Sequence, residues 1–205
     1  MTKIKLCGLR RAEDIEYANI LTPEYIGFVF APSSKRYISP EDASALRRGL
    51  SDSITPVGVF VDADIGYVLN AVKIGAADII QLHGSEDEDY ISALRAVSDR
   101  AIIKAFSVKS ENDINAAQNS SADYVLLDSG AGGSGIQFNH SLINNIKRDF
   151  FLAGGLDSRN VQTALKQYSP YAVDTSSALE TNGIKDLDKM RAFVDAVRKG
   201  KELYI

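Results

Sequence analysis

The residues best suited to chemistry are widely spaced along the chain: Cys7, Arg36, His83, Asp128 and Asp174. Asp128 closes the apolar run Asp123-Tyr-Val-Leu-Leu-Asp128 and opens into Ser129-Gly-Ala-Gly-Gly-Ser-Gly135. An acid at the end of a buried strand, followed by a glycine loop able to close, is how α/β proteins present chemistry. Cys7 is the only cysteine and precedes Gly8, a placement that suits a nucleophile or a base. Arg36 lies in the polar loop 31–40 and could fork onto a carboxylate. Gly154-Gly155, followed by Leu156-Asp-Ser-Arg-Asn160, and Ser176-Ser177 have the composition of a phosphate clamp. Glycines let backbone N–H groups approach an anion, and a helix start adds positive partial charge. Each residue also has an ordinary account: Cys7 as a small buried hydrophobe, Arg36 as a solvated side chain, His83 as a hydrogen-bonded wall, Asp128 and Asp174 as caps. Spacing alone does not choose. With one cysteine, two histidines and no HxH or CxxC, the chain has no metal-site pattern.

What would bring these residues together is a repeating unit. Apolar runs at 4–7, 25–30, 57–61, 78–82, 101–106, 123–128, 150–153 and 171–173 read as strands. Segments with helical spacing follow them at 12–20, 41–50, 65–74, 86–97, 111–118, 140–147, 158–167 and 186–198. Ser39-Pro40-Glu41-Asp42 is a strong helix start, with a cap, a proline at the first position and acids in the first turn. A short extra helix is expected at 175–179. Strict alternation implies a parallel sheet, because parallel neighbours need crossovers and helices supply them. Eight repeats favour an α/β fold closed as a (β/α)8 TIM barrel, one domain over residues 1–205 with a tail at 199–205. In such a barrel every candidate residue sits just after a strand, on the face where active sites lie.

Composition bounds the partners. A net charge of -4 with no basic block argues against nucleic acid or an anionic membrane surface. No apolar run approaches the ~18 residues of a membrane span, and the first residues lack a signal-peptide core. A lone cysteine cannot form an internal disulfide, which suits a reducing cytoplasm. The expected partner is a small phosphorylated molecule, bound by a monomer or homodimer.

With those residues quoted, the chain resembles the phosphoribosylanthranilate isomerase family of tryptophan biosynthesis. The resemblance is carried by Lys5-Leu-Cys-Gly8, Gly27-Phe-Val-Phe30, Lys35-Arg-Tyr-Ile-Ser-Pro40, Val57-Gly-Val-Phe-Val61 and Gln81-Leu-His-Gly84. It continues through Leu127-Asp-Ser129, Gly132-Gly-Ser-Gly135 with Phe138, Leu152-Ala-Gly-Gly-Leu156 and Val173-Asp-Thr-Ser-Ser-Ala-Leu-Glu-Thr-Asn-Gly183. It implies a barrel with Cys7 as general base, Asp128 as general acid and Arg36 on the anthranilate carboxylate. His83, Gly154, Gly155, Asp174, Ser176 and Ser177 complete the implied binding set. Leu6, Asn139-His140, Thr175 and Ala178-Leu179 depart from the usual pattern, and Ala178 touches the phosphate turn.

The implied reaction is an Amadori rearrangement, in which an N-glycosyl aldose amine becomes an aminoketose. An acid protonates the furanose ring oxygen and the ring opens to a Schiff base. A base then takes the C2′ proton, giving an enolamine that tautomerises to the ketone. Reference pKa values of about 3.9 for Asp and about 8.5 for Cys are in the wrong order for these roles. The site is therefore expected to raise the acid by burial and lower the thiol by positive or dipolar surroundings, with Lys5 and nearby strand-end amides as the candidates. The histidine-pathway isomerase, which does the same rearrangement on another aglycone, is the nearest rival, but it looks to carry a carboxylate where Cys7 sits. A non-catalytic barrel binding a phosphorylated metabolite is the rival from outside enzymes.

Overall fold

The computed structural model describes residues 1–128 and 143–199. Eight parallel strands close into a barrel in chain order: β1 (Lys3–Cys7), β2 (Tyr25–Val29), β3 (Thr55–Phe60), β4 (Ile79–Leu82), β5 (Ile102–Ser107), β6 (Tyr124–Asp128), β7 (Phe150–Ala153) and β8 (Ala172–Thr175). The seam joins β1 to β8, with Lys5 opposite Asp174. Helices α1 (Ala12–Leu21), α2 (Pro40–Arg47), α3 (Ile65–Lys73), α4 (Glu88–Arg95), α5 (Glu111–Asn119), α6 (Val161–Tyr168) and α7 (Leu187–Lys199) follow their strands. The main core lies between strands and helices, where Phe28, Phe60, Ile80, Leu82 and Phe193 are almost completely buried. Burial on both faces is why the strands read as continuous apolar runs.

Local chemistry sets the helix starts. Ser39 Oγ accepts from Asp42 N at 3.1 Å, with Pro40 at the first helical position. Asp113 Oδ2 accepts from the amides of Lys109 and Ser110 at 2.9 and 2.8 Å, opening α5. Where expected bounds shift, a side chain has other work. The helix expected from Glu86 begins at Glu88, because the Glu86 carboxylate accepts from Asp62 N at 2.8 Å and Gly84 N at 2.9 Å. The helix expected from Ser158 begins at Val161, because Asp157 and Asn160 close a turn on each other's amides.

Two expectations need larger correction. Of the helix expected at 140–147, the described part forms only a 3-10 turn, Ile143–Asn145. Ile146 N bonds Ile143 O at 3.1 Å, and Lys147 N turns away to Gln118 Oε1 at 2.8 Å, so no α-helix continues. The extra helix at 175–179 is a 3-10 turn, Ser177–Leu179, leading into an unexpected hairpin of β9 (Glu180–Thr181) and β10 (Ile184–Lys185). Asn182 and Gly183 turn it with φ of 52° and 76°, the pair of positive values that an Asn-Gly hairpin turn requires. The glycine loop at 129–135, Phe138 and residues 200–205 lie outside the described residues.

A buried ion pair braces the rim above β3, β4 and β5. Lys104 Nζ lies 2.9 Å from Glu86 Oε2 and donates to Gly84 O at 2.7 Å. Glu86→Ala strands this ammonium and should cost about 3–5 kcal/mol in urea denaturation. The double change Glu86→Leu with Lys104→Met should cost much less, because it leaves no charge unpaired.

Candidate active site

At the C-terminal ends of the strands lies a cavity of about 510 Å³. Cys7, Arg36, His83, Asp128, Gly154, Gly155, Asp174, Ser176 and Ser177 all line it, so every residue singled out from the sequence faces one space. Cys7 ends β1 and Asp128 ends β6, on well-separated strands of the closed ring. Val29 and Val59 give the wall beside the thiol an apolar surface. Cys7 fits because its register partner on β2 is Gly27. A Cβ there would lie 2.6 Å from Cys7 Sγ.

Lys5 is the positive group expected beside the thiol; three further partners, Gln81, Glu180 and Lys185, were missed from sequence. Lys5, fully buried, lies 2.9 Å from Asp174 Oδ2. Gln81, also buried, places Nε2 2.8 Å from His83 Nδ1. Glu180 and Lys185, on the hairpin, reach Arg36 and the Ser176 turn. Its inward strand position could have signalled Gln81, since a polar residue in a buried run needs a partner. Nothing in the spacing pointed to Glu180. Two buried acceptors, Gln81 Oε1 and Asp174 Oδ1, have no hydrogen-bond partner among the described residues. Hydroxyl-rich ligands satisfy such atoms.

The electrostatics follow from burial and these pairs. Burial pushes the Cys7 thiol above its ordinary pKa; Lys5 and Lys185 pull it down, Asp174 adds to the rise, and the net is upward. This is opposite to the expected lowering, because the lysine charge does not make up for the loss of water. Burial works against the Lys5 ammonium too, yet Asp174 and the Cys7 sulfur outweigh it and its pKa is raised. Burial and the positive charge of Lys5 lower His83, against the pull of Asp128 and Asp174, so its imidazole is neutral near pH 7. With Gln81 Nε2–H donating to Nδ1, the remaining proton sits on Nε2, 3.8 Å from Asp128 Oδ2. Gly154 and Gly155 have φ of 95° and 64°, a left-handed pair that side chains resist. Ser176 Oγ donates to Cys7 O at 2.9 Å and joins this turn to the first strand. Among the described residues no group of three His, Cys, Asp or Glu is placed to hold a metal ion.

The family model for N-(5'phosphoribosyl)anthranilate (PRA) isomerase matches residues 4–196. The chain belongs to this family. An N-(5'-phosphoribosyl)anthranilate isomerase from Endomicrobium trichonymphae is 43% identical over 202 residues, 97% of this chain and 99% of that one. The crystal structure of phosphoribosyl anthranilate isomerase from Thermotoga maritima has a TM-score of 0.88 at 35% identity, covering 97% of this chain and 100% of that one. A phosphoribosyl anthranilate isomerase solved in complex with reduced 1-(o-carboxyphenylamino)-1-deoxyribulose 5-phosphate has a TM-score of 0.86 at 33% identity, with the same coverage.

Two measurements check the thiol in this isomerase-family cavity. Gly27→Ala forces Cys7 Sγ aside, so alkylation of Cys7 and turnover should both change. The overpacking should cost about 1–3 kcal/mol in thermal unfolding. The Cys7 alkylation rate should level off at a higher pH than that of an ordinary thiol of pKa about 8.5 measured alongside. Lys5→Met removes the charge that favours thiolate, so it should move this profile to still higher pH.

Proposed function

We propose that the chain catalyses the cofactor-free Amadori rearrangement of N-(5-phosphoribosyl)anthranilate to 1-(2-carboxyphenylamino)-1-deoxyribulose 5-phosphate. The observation that carries this reading is one cavity lined by a strand-end thiol, a strand-end carboxylic acid, an arginine and two small-residue turns, in a chain of the isomerase family. Asp128 gives its proton to the ring oxygen and the furanose opens to the Schiff base. Cys7 takes the C2′ proton, and the enolamine that results becomes the ketone. A raised thiol pKa means fewer thiolates at pH 7, but each is a stronger base toward a carbon acid. Lys5 stabilises that thiolate from inside the barrel. His83 lies beside Asp128, its Nε2 3.8 Å from Oδ2, and Gln81 keeps the imidazole proton on that nitrogen.

The substrate lies with its phosphate on the turns of Gly154-Gly155 and Ser176-Ser177 and its anthranilate carboxylate toward Arg36. Its ribosyl hydroxyls face Asp174. Among the described residues no helix is long and apolar enough to cross a membrane. We place the enzyme in the cytoplasm, in tryptophan biosynthesis, acting as a monomer or homodimer.

The test is a fluorescence assay following loss of phosphoribosylanthranilate made in situ. Cys7→Ser and Asp128→Asn should each lower kcat about 10²–10⁴-fold, with KM little changed, because each removes one proton transfer and no grip on phosphate or ring. Near-wild-type turnover by folded Cys7→Ser would retire the base assignment.

A further inference from the structure

The Arg36 guanidinium is already engaged on one edge. Its Nε and Nη2 donate to the two oxygens of Glu180 at 2.6 and 2.8 Å. Glu180 begins β9, and its Oε1 also accepts from Lys185 Nζ at 2.7 Å. Lys185 is buried and donates to Ser176 O at 2.9 Å, so the carboxylate is anchored from the cavity wall. On the other side Gly8 lies so close that a Cβ there would collide with Arg36 Cδ. The arginine is therefore held along its aliphatic stem and at its head.

A guanidinium offers five N–H donors on two edges that each match a carboxylate. Glu180 takes the Nε–Nη2 edge. The Nη1–Nη2 edge has no protein acceptor among the described residues, and Arg36 lines the cavity. Arg36, Lys185 and Glu180 together carry two positive charges and one negative, which leaves one positive charge to meet one substrate carboxylate.

We propose that Glu180 is a positioning residue for substrate specificity, turning the open edge of Arg36 toward the ortho-carboxylate of the aromatic amine. The inference deepens the function proposed above and rests on it. Glu180 stays bound to Arg36 while substrate is present, unlike a competitor that the substrate carboxylate would displace.

The experiment compares phosphoribosylanthranilate with the analogue made from aniline, which lacks the carboxylate. Glu180→Gln keeps the shape but loses the charge that fixes the guanidinium. It should raise KM for phosphoribosylanthranilate about tenfold with kcat nearly unchanged, the scale of one charge-assisted hydrogen bond. KM for the aniline analogue should not move. In an Arg36→Ala background, Glu180→Gln should add nothing. Equal losses on both substrates, no change on either, or a lower KM for phosphoribosylanthranilate would each overturn the inference. If Glu180→Gln does not fold, Glu180→Asp, which keeps the charge on a shorter arm, should give the same selective rise in KM. A uniform effect of Glu180→Asp on both substrates overturns the inference as well. Wild-type protein that turns over neither substrate would instead overturn the proposed function.

Discussion

The buried pair of Lys5 and Asp174 is the interaction on which the site depends. It spans the seam where β1 meets β8, at the register Lys5 opposite Asp174. Such a pair is weak evidence for stability, because taking two ions out of water offsets most of their attraction. Its consequence is electrical. A fixed positive charge lies beneath the thiol at the end of the same strand, and a carboxylate with one oxygen that has no partner among the described residues faces the cavity. Both Cys7 and His83 titrate against that charge. Closing the barrel and charging its active end are thus one event.

The two ends of the barrel are built differently. At the N-terminal end the interior is plugged by aromatic rings. Tyr124 and Tyr171 stack at 5.1 Å, Tyr25 meets Phe151 at 5.5 Å, and Lys3 Nζ donates to Tyr171 OH at 2.6 Å. These hydroxyls and the ammonium satisfy one another, so the lower layer needs no ligand. At the C-terminal end the layers give way to smaller residues and polar groups, including two acceptors with no partner among the described residues. A barrel sealed below and unsatisfied above has one working face.

Much of this was legible in the chain. Strands such as β7, Phe150–Ala153, stand out because burial on both faces demands unbroken apolar residues. Ser39-Pro40 marks α2 because capping chemistry is local. The hairpin was also written in the sequence, at Asn182-Gly183, but it was hidden behind the expectation of a helix after β8. The turn at Ile143–Asn145 was not legible, since its geometry follows from hydrogen bonds to residues some 30 positions earlier.

The sequence by itself determined the repeat, the parallel barrel and the set of residues brought to one mouth, because alternation and strand-end position are properties of order along the chain. Motifs in a fixed order also determined the family. Only the tertiary structure decided how those residues are charged and held. The upward shift of Cys7 comes from burial among Val29 of β2, Val59 of β3 and Ala31 in the loop after β2. The pairing of Arg36 with Glu180 joins residues 144 positions apart. Desolvation and salt bridges act through space, and a linear spacing carries no measure of either.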